Sequence, residues 1–240
     1  SDVARRIAHE IKNPLTPIQL SAERLRRKYL SEITTDPDTF SNCTDTIIRQ
    51  VGDIGRMVDE FSSFARMPRP QMEDMNVVSA CREALVLPRS AHPEIRFDVG
   101  LPDGPVWISG DPRQLSQVMT NLVQNAVDAI EGRLQEDDEN VSFEGEIRVA
   151  LTAFDGEATI EVLDNGKGLP HEARDRLTEP YVTTRAKGTG LGLAIVKTIL
   201  EDHGADLKLE DRKEGGACVK VRIPLLDCDA STPVSDVGGA

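Results

Sequence analysis

Two apolar stripes of helical period constrain the first 66 residues more than any other feature of the chain. In "RRIAHEIKNPLTPIQL", residues 5–20, Ile7, Ile11, Leu15 and Ile18 recur at spacings of four, four and three, one face of a helix. Further on, Ile47, Val51, Ile54, Val58 and Phe61 alternate spacings of four and three, a heptad stripe. Between them "TTDPDTF" supplies a restart: Asp36 can cap the second helix and Pro37 suits its first position. Gly52 and Gly55 weaken that helix by about 1 kcal/mol each relative to Ala. Two antiparallel helices cannot bury both stripes alone, so a homodimer that closes a four-helix bundle is the economical solution; an ordinary hairpin packed on the rest of the chain is the alternative. His9 stands off the apolar face with Glu10 beside it. Five residues on, Pro14 removes a backbone donor and is expected to bend the helix.

Composition narrows the function classes. The chain has 240 residues, room for one large domain or two small ones, and its 39% hydrophobic content suffices for a core. A net charge of -13 argues against a general nucleic-acid surface, which needs clustered Lys and Arg. Cys43, Cys81, Cys218 and Cys228 are far apart with no CxxC spacing, so neither a zinc site nor a disulfide framework is expected and a reducing compartment fits. No apolar run approaches the roughly 20 residues that span a bilayer, and no signal peptide is expected in this stretch. The helical pattern is already running at the first residue, so the chain is expected to be part of something longer.

"ARMPRPQME" ends the helical part, because Pro68 and Pro70 break the pattern. The expected layout is a helical domain over 1–66, a linker over 67–71, a second domain over 72–226 and a disordered tail over 227–240. From about residue 72 the pattern is mixed. "IRFDVGL" and "VWISG" read as strands. Asp111-Pro112 opens a helix, with Gln114 placed to complete a capping box. "EIRVALTAF" and "EATIEVLD" are strands joined at Asp155-Gly156, a hairpin signal. A helix follows from about Leu191, then strands "DLKLED" and "CVKVRIPL" around "RKEGG". "QEDDENVSFEGE" reads as an acidic, solvated loop. The expected class is α+β: a helical hairpin, then an α/β two-layer sandwich.

Three segments of the second part carry chemistry. In "DPRQLSQVMTNLVQNAVDAIEGRL" an apolar face of Leu115, Val118, Met119, Leu122, Ala126 and Ile130 opposes a polar stripe of Asn121, Asn125 and Asp128. Amide oxygens stacked on one stripe can ligate a hard cation such as Mg²⁺, although a plain solvated face reads equally well. In "ATIEVLDNGKG", Ile160, Val162 and Asp164 share one phase of the strand. A carboxylate on the core side needs a partner, and the amino group of a purine would serve. Gly166 and Gly168 would let a ligand approach the backbone; Asn165-Gly166 is also a turn dipeptide. In "KGTGLGLAIVKTILEDHG", Gly188, Gly190 and Gly192 lead into an apolar-periodic helix, whose free first N–H groups suit phosphates. It is neither a Walker A loop nor a Rossmann fingerprint.

Taken in order, these segments resemble the catalytic core of two-component sensor histidine kinases. "HEIKNPL" looks like the H-box, "NLVQNAVDAI" the N-box, "DNGKG" the G1-box, "EPYVTTR" the F-box and "GTGLGL" the G2-box. The likeness runs from residue 3 to about 226. "ARRIAHEIKNPLTPIQLSAERLRRKY" looks closest to nitrogen-regulation sensors of the NtrY kind. The second domain is similar to the GHKL (Bergerat) ATP-binding fold shared with gyrase, Hsp90 and MutL. Tyr181 stands where an F-box usually has Phe, and Asp128 where many members carry a basic residue.

The resemblance implies an ATP:protein-histidine phosphotransferase using ATP and Mg²⁺. Nε2 of His9 would attack the γ-phosphate while Glu10 accepts a proton from the other ring nitrogen. Asn13 would orient a water for the reverse task, dephosphorylating the regulator. Asn125, assisted by Asn121, would hold Mg²⁺, and Asp164 would read adenine beside Gly166 and Gly168. Arg185 and Lys187 would approach the phosphates from a lid over Thr183–Lys187, and Gly188, Thr189, Gly190, Leu191 and Gly192 would close around the nucleotide. The implied partners are a second copy of the chain and a response-regulator receiver domain of the NtrX kind. The implied location is the cytoplasmic portion of an inner-membrane sensor. A GHKL clamp ATPase and a dimeric pseudokinase scaffold stay open as alternatives; the first has no need of His9 with Glu10, and intact Asn125, Asp164 and glycine loop count against the second.

Overall fold

The computed structural model describes residues 2–65, 67–136, 143–170, 174–182 and 189–226. The chain divides into two compact units, Ser1–Arg69 with Pro170–Ile195 and Pro70–Leu169 with Val196–Ala240. The acidic segment 137–142 and the tail 227–240 lie outside the described residues.

The first unit is built on two 28-residue helices, α1 (Asp2–Tyr29) and α2 (Pro37–Phe64), packed against each other. Asp36 caps α2 as expected: its Oδ1 accepts from the Thr39 amide at 3.1 Å, with Pro37 at the first helical position. α1 continues through both Pro14 and Pro17, so Pro14 does not end it. Ala8, Ala22, Val51 and Val58 are buried between the helices, where small residues let the backbones approach. Lys12 pairs with Asp59 and Arg26 with Asp45 across the pair. The stripe residues Ile7, Ile11, Ile18, Ile47 and Ile54 remain 40–47% exposed. One hairpin therefore buries only part of each stripe.

The second unit holds β1 (Glu73–Asn76), α3 (Val77–Ala91), β2 (Arg96–Gly100), β3 (Trp107–Gly110), α4 (Pro112–Glu136), β4 (Glu146–Phe154) and β5 (Glu157–Asp164). α5 (Gly192–Asp202) opens in the first unit and continues into the second, followed by β6 (Asp206–Asp211) and β7 (Ala217–Pro224). Five strands form one sheet in the order β2-β4-β5-β7-β6, parallel only between β2 and β4; β1 and β3 form a separate antiparallel pair. The β4–β5 turn takes positive φ at Asp155 (52°) and Gly156 (78°), the two left-handed positions an Asp-Gly hairpin supplies. Ile147, Val149, Leu151, Ala158, Ile160 and Val162 alternate inward, and α4 packs on β4 and β5 while α3 packs on α4. All six residues of the apolar face read for α4 are buried, and so are Val123 and Val127. The α/β sandwich expected from the sequence is thus present.

Two features differ from the sequence reading. β1 and α3 were not legible in the mixed pattern after residue 72. Asn76 is their junction: its side chain accepts from the amides of Val78 (3.1 Å) and Val106 (3.0 Å), capping α3 and pinning it beside β3. Burial of Cys81 on α3 pushes its thiol up to about 12, so it acts as a packing residue. The second difference is the α4 cap. Asp111 caps α4 through Oδ1 to the amides of Arg113 (3.0 Å) and Gln114 (3.4 Å), but Gln114 does not complete a capping box. The Asp111 amide instead donates to Nε2 of His203, 2.9 Å away, and Nδ1 of His203 bonds the Ile199 carbonyl at 2.7 Å. A buried histidine distant in sequence has taken the glutamine's place.

Asp111 also receives the Gln71 amide on Oδ2 at 2.9 Å. Burial pushes its carboxyl up. Hydrogen bonds from the Gln71 amide, the Arg113 side chain and the Arg113 and Gln114 amides outweigh that and hold it at about 2 against an ordinary 3.8. A carboxyl lowered on folding contributes stability above the unfolded value and loses it as pH falls through the folded one. Asp111→Asn is therefore expected to cost about 2 kcal/mol at pH 7. The gap from wild type should close between about pH 4 and pH 2 in denaturant unfolding curves; a gap constant with pH contradicts the assignment.

Candidate functional site

β5 ends in a carboxylate that the fold has taken out of water. Asp164 continues the inward phase of Ile160 and Val162 and is only 5% exposed. Its Oδ1 accepts from the amides of Gly166 (2.9 Å) and Ala217 (3.3 Å). Its carbonyl accepts from Arg212 Nη1 at 2.9 Å, and the next carbonyl, Asn165, accepts from Arg133 Nη1 at 2.7 Å. The Asn165 side chain bridges to β4: Oδ1 accepts from the Glu146 amide (2.7 Å) and Nδ2 donates to the Glu144 carbonyl (2.8 Å). Asn165-Gly166 is therefore no hairpin turn. The chain runs from it against α4, where the Lys167 amide donates to the Ala129 carbonyl at 3.2 Å.

Gly166 is explained by that approach. A Cβ there would lie 2.4 Å from the Ala129 carbonyl carbon and 2.6 Å from its oxygen. The missing side chain admits the α4 backbone. Gly168 sits at φ 78°, a conformation that favours glycine. Ala129 lies one turn beyond Asn125, so the Asp164 loop and the asparagine stripe share one rigid frame. Asn121, Asn125 and Asp128 are half-buried along α4, with Asp128 accepting from Gln124 Nε2 at 2.7 Å. No group of three His, Cys, Asp or Glu among the described residues could hold a metal by itself. The amide oxygens of Asn121 and Asn125 suit a hard cation that takes its other ligands from phosphates and water.

His9, Glu10 and Asn13 belong to the first unit, all exposed on α1. The glycine loop enters the same unit. The Leu191 amide donates to Thr189 Oγ1 at 3.3 Å, opening α5, and the Thr189 hydroxyl bonds Glu60 of α2. Gly190, at φ 70°, accepts from the Tyr181 amide at 3.0 Å; a Cβ there would meet the Tyr181 carbonyl carbon at 2.7 Å. The Tyr181 ring lies 6.5 Å from that of Phe61. Leu191 is fully buried, a core residue at the start of α5. Thr183, Arg185, Lys187 and Gly188 lie outside the described residues.

Sequence reasoning passed over Arg133, Arg212 and Ala129. Ala126 and Ala129, small residues one turn apart on α4, were the available signal for a backbone pressed against the helix. Gly215 and Gly216, at φ 91° and 90°, mark the tight turn that brings Arg212 to Asp164.

Comparison with known proteins agrees with this geometry. Residues 110–227 match the Histidine kinase-, DNA gyrase B-, and HSP90-like ATPase family, and residues 1–70 match the His Kinase A (phospho-acceptor) domain. The chain belongs to the sensor histidine kinase family. It is 53% identical over 224 residues to Nitrogen regulation protein NtrY of Azorhizobium caulinodans, covering 93% of this chain and 28% of that protein. An NtrY-like sensor histidine kinase of Rickettsia felis is 39% identical over 229 residues, covering 95% of this chain and 37% of that one. The chain thus spans little more than a third, at most, of either relative. The solved structure of histidine kinase ThkA in complex with response regulator protein TrrA aligns with a TM-score of 0.63 at 24% identity. That match covers 93% of this chain and 61% of the other, a likeness of fold. No helix among the described residues is long and apolar enough to cross a membrane.

The packing around Gly166 makes a graded prediction. Gly166→Ala forces a methyl into the α4 backbone and is expected to cost about 3 kcal/mol. Gly168→Ala faces only the left-handed conformation and is expected to cost about 1 kcal/mol. Guanidinium unfolding of the two variants tests the order; equal costs contradict the role given to Gly166.

Proposed function

We propose that this chain is an ATP:protein-histidine phosphotransferase core that phosphorylates His9 and passes the phosphoryl group to an aspartate on a response-regulator receiver domain. The observation that carries the reading is Asp164. It is a buried carboxylate at a strand end, gripped by two backbone amides and framed against the asparagine helix. Such a group accepts from the exocyclic amino group of adenine, and a satisfied acceptor there offsets the cost of burying its charge. Asn125, with Asn121, would hold Mg²⁺ against the phosphates, where the cation supplies charge neutralisation. Arg185, Lys187 and the loop Gly188–Gly192 would complete the phosphate contacts.

At His9 the chemistry is an in-line displacement. The bond from Nε2 to the γ-phosphorus forms as the bond to the β-phosphate oxygen breaks, and ADP leaves. Glu10, the adjacent carboxylate, takes the proton from Nδ1. Exposure of His9 on α1 supports this role, because an acceptor shared by ATP and a receiver aspartate must be reachable. Asn13 follows His9 by four residues, about one helical turn, on the same face. An amide there would orient a water toward a phosphoaspartate, so the same surface would serve the reverse reaction. By the NtrY likeness the regulator would be of the NtrX kind, and the chain would work on the cytoplasmic side of an inner-membrane sensor.

Incubation with γ-labelled ATP and Mg²⁺ tests the reading. The wild-type chain is expected to take acid-labile, base-stable label. His9→Gln should lose the label and keep nucleotide affinity, while Asp164→Ala should lose affinity about tenfold or more. Stoichiometric labelling of His9→Gln would place the phosphoacceptor elsewhere.

The exposed isoleucines of α1 and α2 support a homodimer closed as a four-helix bundle. Light scattering at micromolar concentration is expected to give twice the chain mass, and a fragment starting at Gln71 should run as a monomer. A monomeric whole chain sinks the bundle.

A further inference from the structure

We propose that Arg212, seconded by Arg133, is a positioning residue that lets Asp164 select adenine over 6-oxopurines; this rests on the reading of Asp164 given above. One short turn grips Asp164 at both of its acceptors. The Arg212 amide donates to the Gly216 carbonyl and the Gly215 amide to the Arg212 carbonyl, both at 3.1 Å, closing the turn between β6 and β7. From that turn the Arg212 guanidinium holds the Asp164 carbonyl at 2.9 Å, and the Ala217 amide holds the carboxylate at 3.3 Å. Gly216 packs so closely that a Cβ would stand 2.1 Å from the same carbonyl oxygen. The Arg212 side chain is mostly buried, 21% exposed, and no tip of a solvated surface charge. Arg133 repeats the grip one residue on, at the Asn165 carbonyl, with its guanidinium 4.3 Å from the centre of the Phe143 ring. Two cations on two elements therefore fix consecutive peptide planes.

The consequence is selectivity more than affinity. Adenine presents an amino donor at its 6-position, and hypoxanthine presents an oxygen there. A fixed carboxylate accepts from the first and repels the second. A carboxylate whose backbone can rotate turns away from the oxygen and relieves the repulsion. Sites built around a fixed polar partner discriminate by far more than apolar pockets do, because the mismatched group has nowhere to go. The two amides hold only one carboxylate oxygen, Oδ1, whereas the arginines fix the main-chain carbonyls of Asp164 and Asn165 from which that side chain is aimed.

The test is calorimetric titration of the full chain with ADP and with inosine diphosphate, in Mg²⁺, beside thermal unfolding. Wild type is expected to prefer ADP. In Arg212→Met, which keeps the apolar stem, the preference should fall about tenfold. Arg212→Lys, which restores one donor, should recover part of it, and Arg133→Met should show a smaller loss in the same direction. A lowered melting temperature with an unchanged ADP preference in both Met variants makes the arginines merely structural and overturns the inference, leaving Asp164 as the reader. A wild-type chain indifferent to the 6-substituent overturns the adenine assignment of Asp164 itself, and this inference with it. Should Arg212→Met fail to fold, Arg133→Met carries the same comparison.

Discussion

The buried charge at the end of β5 is the constraint around which the second unit is arranged. Taking a carboxylate out of water costs several kcal/mol unless hydrogen bonds replace the solvent. Asp164 receives two backbone amides, and both arrive by unusual backbone. Gly166 is pressed on α4 with no room for a Cβ, and Ala217 follows two glycines at positive φ. Asn165 ties the same loop to β4, and Arg133 and Arg212 hold its carbonyls. A core this costly to assemble is not needed for folding, since an apolar residue at the strand end would bury more easily. The outlay is intelligible as preorganisation for a ligand that donates a hydrogen bond.

The first unit has the opposite problem. It must cover apolar stripes and yet leave an imidazole open. His9 can do this because it stands off the stripe of Ile7, Ile11, Leu15 and Ile18, so closing a bundle over the isoleucines leaves it in solvent. Ala8, on the neighbouring face, is buried against α2. The helix thus has one face buried on its hairpin partner, an apolar stripe left exposed and His9 off that stripe. α1 runs unbroken through Pro14 and Pro17, so all of these residues are carried on one helix.

How far the sequence could be read depended on whether a residue's partner was local. The Asp155-Gly156 turn, the Asp36 cap, the two strands flanking the turn and the apolar face of α4 are set by neighbours within a few residues, and all were legible. Asp164 was legible as an inward carboxylate because strand phase is a local property. Its satisfaction was not, because Ala217 and Arg212 come from about 50 residues away. The capping box of α4 failed for the same reason: the Asp111 amide bonds not the local candidate Gln114 but His203, 92 positions beyond Asp111. α3 was missed because Asn76 caps it while also bonding Val106, so its start depends on β3 as much as on its own stripe. The packing of Gly166 on α4 was not legible, since a glycine that admits a ligand and one that admits a helix look the same in sequence.

Charge sets a last condition on the nucleotide site. A chain with a net charge of -13 repels a polyphosphate at long range. At physiological ionic strength the Debye length is about 8 Å, so distant carboxylates are largely screened and only groups beside the ligand decide binding. The stripe of Asn121 and Asn125 fits that demand in the proposed reading, because it would offer amide oxygens to a cation without adding negative charge. A stripe of aspartates would hold the cation more tightly, yet would set fixed anions against the phosphates the cation must also bind. Asp128, the one acid on the stripe, is taken up by Gln124 within its own helix. In the proposed reading, neutral ligands would serve the metal and a buried acid the base, each placed where its charge state helps.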